Sequence, residues 1–114
     1  MEKFELEITK SKFIAYRLEL NSLEQVKPFL ESLKKEHKKA RHIPYAYKVN
    51  NTAKKTDDKE PTNTAGLPIY NILERKNLNN HLVCVIRYFG GIKLGAGGLL
   101  RAYSEAANEA TKDI

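Results

Sequence analysis

The stretch HLVCVIRYFGGIKLGAGGLLRAYSEAANEATK, His81 to Lys112, decides the fold. Its opening run is apolar and β-branched through Ile86, the pattern of a strand with both faces covered, so it predicts the central strand of a sheet. Its closing run, from Leu99, is alanine-rich and places Leu99, Leu100, Tyr103, Ala106, Ala107 and Ala110 where one helical face can bury them. Between the two lies GGIKLGAGG, with five of the chain's six glycines: Gly90, Gly91, Gly95, Gly97 and Gly98. A glycine-rich strand-to-helix junction admits two readings. Backbone N–H groups and a helix N-terminus there can receive a phosphate, with Lys93 and Arg101 adding charge. Alternatively, the glycines take backbone angles closed to other residues. The nucleotide reading is poor in detail, because the run lacks the Gly-Lys-Ser/Thr ending of a P-loop and the spacing of a dinucleotide fingerprint.

Working outward, KFELEI alternates Phe4, Leu6 and Ile8 against charged neighbours, and KFIAYRLEL continues as strand after Thr9-Lys10-Ser11, which predicts a β-hairpin. Ser22 and Gln25 have capping-box spacing ahead of a helix with Leu23, Val26, Phe29, Leu30 and Leu33 on one face, and Pro28 predicts a kink or a later start. HIPYAYKVN reads as a third strand carrying Tyr45 and Tyr47 on one face. The polar stretch NNTAKKTDDKEPTNT reads as a long exposed loop, and Pro68 opens a second helix, PIYNILERK. The predicted order is ββαβαβα, an α+β two-layer sandwich with a four-stranded mixed sheet and helices on one face. The 114 residues fit one domain over 1–114, with no internal repeat or linker.

Composition narrows the class. No apolar run approaches the ~20 residues of a membrane span, and the N-terminal residues are charged and alternating, so the expected location is the cytoplasm. The single cysteine, Cys84, excludes an intrachain disulfide and is expected to be a small buried hydrophobe. Twenty Lys and Arg against fourteen Asp and Glu give a net charge of +6, which favours polyanionic partners. The basic residues concentrate in KKEHKKARH, Lys34 to His42. Aromatic and basic residues interleave in ARHIPYAYK and IRYFGGIK, the combination that stacks bases and follows a nucleic-acid backbone.

Chemistry-bearing groups are sparse. Asp57, Asp58 and Glu60 offer carboxylates in a loop, but no second ligand cluster accompanies them, and a solvated charge run is the simpler reading. His37 and His81 read as surface residues. His42 heads a strand beside Lys38, Lys39 and Arg41 and is suited to surface binding. Neither Ser104 nor Cys84 has a relay in the sequence. No catalytic residue, metal or cofactor is implied.

Three blocks in order, ARHIPYAY, DDKEPTNTAGLPIYNIL and VIRYFGGIKLGAGGLLRAYSEAA, with SKFIA before them, resemble the Impact-type N-terminal domain of bacterial YigZ-like and eukaryotic Impact proteins. The resemblance covers nearly the whole chain. It implies a fold like the second domain of a small-subunit ribosomal protein and the fourth domain of the translocation elongation factor. It also implies a non-enzymatic role in translation or its regulation, with RNA, the ribosome or a translation-regulatory protein as partner. Candidate anion- or nucleic-acid-binding residues are His42, Arg87, Tyr88, Lys93 and Arg101. The signature loop comprises Asp57, Asp58, Glu60, Pro61, Thr64 and Gly66, and the signature turn comprises the five glycines. Two positions depart from the family pattern: Lys59 and Asn63 stand where glycine is usual, so the loop is expected to take another path or to be less ordered. The ferredoxin-like domain usual after this one in bacterial relatives has no counterpart in these 114 residues. The alternatives are a small nucleotide- or phosphate-binding protein or enzyme using residues 90–98, and a protein-recognition domain competing for a translation regulator.

Overall fold

The computed structural model describes all 114 residues. Glu2–Ile8 (β1) and Ser11–Glu19 (β2) form the expected hairpin, joined through Thr9 and Lys10 at φ +48° and +66°. Two left-handed residues match a tight turn to the right-handed twist of its strands. A 3-10 turn, Leu23–Gln25, leads into Val26–Glu36 (α1). The Gln25 side chain accepts the Ser22 N–H at 3.1 Å. Pro28 is the third residue of α1, where its missing N–H leaves no bond unmade, so the helix starts later instead of kinking.

Tyr45–Val49 (β3) is followed by Thr52–Thr56 (β4), a strand inside the stretch expected to be loop. Asn50 and Asn51, at φ +49° and +65°, make the two-residue turn between them. Gly66–Arg75 (α2) begins two residues before Pro68. His81–Tyr88 (β5) is the central strand, and Gly95–Ala110 (α3) starts four residues ahead of Leu99. Gly95, Gly97 and Gly98 therefore lie in the first helical turn and not in the connection before it.

The sheet has five strands, not four, in the order β1-β2-β5-β3-β4, and every pairing is antiparallel, not mixed. The element order is ββαββαβα. In the β2–β5 register Ala15 faces Val85 and Tyr16 faces Cys84, so alternate residues feed two cores. Phe13, Ala15, Val83 and Val85 pack beneath α2 and α3 with Ile69, Leu73 and Tyr103. Ile14, Tyr16, Leu82, Cys84 and Ile86 pack on the opposite face with Val26 and Leu33 of α1. Helices thus cover both faces, correcting the one-sided expectation. A continuously apolar central strand requires this: covering one face alone would leave Leu82, Cys84 and Ile86 in water. Cys84 is fully buried, and burial pushes its thiol well above the ordinary range.

Candidate nucleic-acid interface

The acidic loop is not a solvated charge run. Asp57 Oδ1 accepts the N–H groups of Ala65 at 3.2 Å and Gly66 at 2.8 Å, which caps the start of α2, while Oδ2 accepts the Asn63 N–H at 2.9 Å. Asp58 Oδ2 accepts the Ile43 N–H at 2.7 Å and ties the loop to the approach to β3. Glu60 reaches inward and is buried, accepting Arg87 Nε at 2.6 Å, Arg87 Nη2 at 2.9 Å and the Tyr103 hydroxyl. One carboxylate thereby joins the loop, β5 and α3. Thr64 donates its hydroxyl to the Pro61 carbonyl at 2.6 Å. Lys59 and Asn63 do occupy left-handed backbone, at φ +72° and +62°, and the loop is nonetheless held by the hydrogen bonds of Asp57, Asp58, Glu60 and Thr64. No group of three or more His, Cys, Asp or Glu is placed to hold a metal ion.

This lock takes in several residues singled out from the sequence. Arg87 is buried, so its guanidinium is committed to Glu60 instead of facing an outside anion. Burial works against its charge, and the hydrogen bonds and charge of Glu60 outweigh that and raise its pKa. Burial, then the Glu60 carboxylate, push the Tyr103 phenol well above its ordinary value. His42 places Nδ1 2.7 Å from the Asp58 carbonyl and Nε2 3.6 Å from Glu60. The Tyr88 hydroxyl lies 2.6 Å from His37 Nδ1, and His37 Nε2 lies 3.0 Å from the Tyr16 hydroxyl. His37 is buried, not a surface residue. The signal was available: the stripe Leu23, Val26, Leu30, Leu33 continues to position 37 at helical spacing.

Three of the glycines, Gly90, Gly91 and Gly95, answer to backbone geometry. A Cβ on Gly90 would lie 1.9 Å from the Lys10 carbonyl oxygen, so the residues after β5 pass against the β1–β2 turn as only glycine can. Gly91 and Gly95 have φ of +90° and +75°. The first turn of α3 has no side-chain cap. Lys93 and Arg101 are exposed and line a groove of about 370 Å³ with Ile8, Thr9 and Glu105. Around them the same end of the sheet gathers further cations. Lys10 occupies the β1–β2 turn, and Arg41 stacks its guanidinium 4.8 Å from the Phe89 ring centre. Lys59 follows the residue that His42 contacts. Phe89 and Ile92 are large apolar side chains left exposed among these charges.

Five antiparallel strands between one helix and two, with a signature loop tied to β5 and α3 through Glu60 and a basic, partly aromatic end, define a small α+β domain. The Impact N-terminal domain model matches residues 9–111, and the chain belongs to that family. IMPACT family member YvyE of Bacillus subtilis is 39% identical over 113 residues, 96% of this chain and 52% of that protein. A crystal structure of a hypothetical protein superposes with a TM-score of 0.92 at 36% identity, over 97% of this chain and 56% of that one. The structure of the two-domain translational regulator Yih1 shares the fold, with a TM-score of 0.58 at 24% identity, over 98% of this chain and 45% of that one. The chain spans about half the length of the curated relatives it matches.

Proposed function

We propose that the chain is a non-enzymatic binding module of translation or its regulation, contacting RNA through the basic end of the sheet. The observation that carries this reading is a run of exposed cations at one end of the sheet: Lys10 in the turn that Gly90 passes against, Arg41 stacked on the exposed Phe89, and Lys93 and Arg101 lining one groove, with Lys59 in the loop beside His42. Exposed cations follow a phosphate backbone, and exposed aromatic surface accepts an unpaired base. The uncapped N–H groups at the start of α3 add positive potential beside Lys93. Arg87, His42 and Tyr88 serve this surface indirectly, by holding the loop and strand ends that carry it. The translational setting draws on the family resemblance and on the fold shared with a translational regulator.

The test is anisotropy of a labelled single-stranded RNA titrated with the protein at several salt concentrations. Log affinity falls linearly with log salt, with a slope of about −0.7 per phosphate neutralised. Lys93→Glu/Arg101→Glu weakens binding at least tenfold across unrelated sequences and flattens the slope. Because both residues are exposed, the variant stays folded. Binding that is absent, insensitive to salt or unchanged in this variant overturns the proposal.

A further inference from the structure

We propose that the groove between α1 and the β3–β4 hairpin docks an acidic amphipathic peptide segment of a partner protein. This surface is separate from the basic end and goes beyond the RNA-binding reading. On the α1 face of the sheet, β3 presents Tyr45 and Tyr47, which pair in register with Cys84 and Leu82. Their rings stack with centres 6.2 Å apart and planes 6° apart. With Leu23, Val26 and Leu30 opposite, they bound a groove of about 380 Å³. Leu23 is 45% exposed, a large apolar side chain left facing water beside this floor.

The rim decides the occupant. Lys27, Lys34 and Lys54 surround the groove, and none of them has a carboxylate within ion-pair distance. Glu31 is the single acid among the lining residues. Lys54 instead holds its ammonium 5.9 Å from the Tyr45 ring centre. An apolar floor ringed by unpaired cations complements apolar side chains flanked by carboxylates. Leu23, Val26, Leu30 and Lys34 recur at helical intervals, so the groove runs roughly 16 Å along the helix, about three turns of a docked helix. A nucleic acid fits less well, because the wall facing the tyrosines is the aliphatic row Leu23, Val26 and Leu30, which gives a base no second ring to stack against.

The experiment is a backbone NMR titration of the full chain with four probes. These are a 14-residue peptide with Leu at i, i+3, i+4 and i+7 and Glu on its flanks, the same peptide with Lys for Glu, a version with scrambled apolar spacing, and a ten-nucleotide oligouridylate. The Glu-flanked helix is expected to give saturable shifts at Leu23, Leu30, Tyr45 and Lys54. Its affinity falls at least tenfold in Lys27→Glu/Lys54→Glu and is unchanged in Lys93→Glu/Arg101→Glu, so the groove and the basic end are read independently. A lack of saturable groove shifts overturns the proposal. So do equal shifts from the Lys-flanked or scrambled peptide, or groove shifts from the oligouridylate.

Discussion

Glu60 and Arg87 are 27 positions apart in sequence and form a bidentate pair with almost no solvent contact. Removing one partner strands the other charge, which typically costs about 3–5 kcal/mol, whereas replacing both with apolar groups is often neutral. Glu60→Ala is therefore expected to lower stability by about that much in urea denaturation, and Glu60→Leu/Arg87→Met to recover most of the loss. Equal losses in the two variants would show that the pair is not the unit of stability. Lys59 gives the opposite sign. It holds φ +72°, which costs a non-glycine residue roughly 1 kcal/mol. Lys59→Gly removes that strain but frees the unfolded chain, for a net gain of roughly 0.5 kcal/mol, read as a rise in thermal midpoint. Lys59 and Asn63 stand where the family resemblance implies glycine, and the left-handed backbone is kept there without it, where another path or less order was expected. Partners were hidden: Asp57, Asp58 and Glu60 are adjacent in sequence but serve α2, the approach to β3, and Arg87, each through a different direction of its side chain.

Elements with strong periodicity were legible, and those set by pairing were not. The β1–β2 hairpin, β3, β5 and all three helices follow from spacing, with starts displaced by a few residues at Gly66 and Gly95. β4 escaped because Thr52–Thr56 is an exposed edge, TAKKT, with no apolar alternation to read. The Asn50-Asn51 pair was its one local mark, since asparagine tolerates the left-handed turn that a two-residue hairpin needs. The side taken by α1 was implied by the doubly covered β5, in conflict with a one-sided sheet. At this contact Tyr16, His37 and Tyr88 join α1 to β2 and β5. Burial, then the charge of Glu36, push the Tyr16 phenol up to about 12 from its ordinary 10. The unfolded chain releases this proton near pH 10 while the folded protein keeps it to about 12. That stability is fully present below pH 10 and is lost as pH rises between the two values. Urea midpoints should fall over that range, and Tyr16→Phe should flatten the fall. An unchanged alkaline limb in the variant would assign it to other groups.

At the scale of the molecule, the arrangement of strands sets where stability lies. β2 and β5 are covered on both faces and flanked on both edges, whereas β1 and β4 each leave one edge open. Hydrogen exchange should therefore be slowest for Phe13–Arg17 and Val83–Ile86 and fastest for β4. Comparable protection in β4 and β5 would mean that the sheet opens only as a whole. Charge follows a different division, with the basic end formed by loops and by the start of α3. The central pairing also bears on the order of synthesis. β2 is complete at residue 19, yet its partner ends at residue 88. At 5–20 residues per second the growing chain waits roughly 3–14 s between the two. Throughout that interval one long edge of the nascent hairpin stays unpaired, and the tyrosine and phenylalanine side chains destined for two separate cores share the same exposed ribbon. The cell must shield that ribbon, or tolerate it, each time the protein is made.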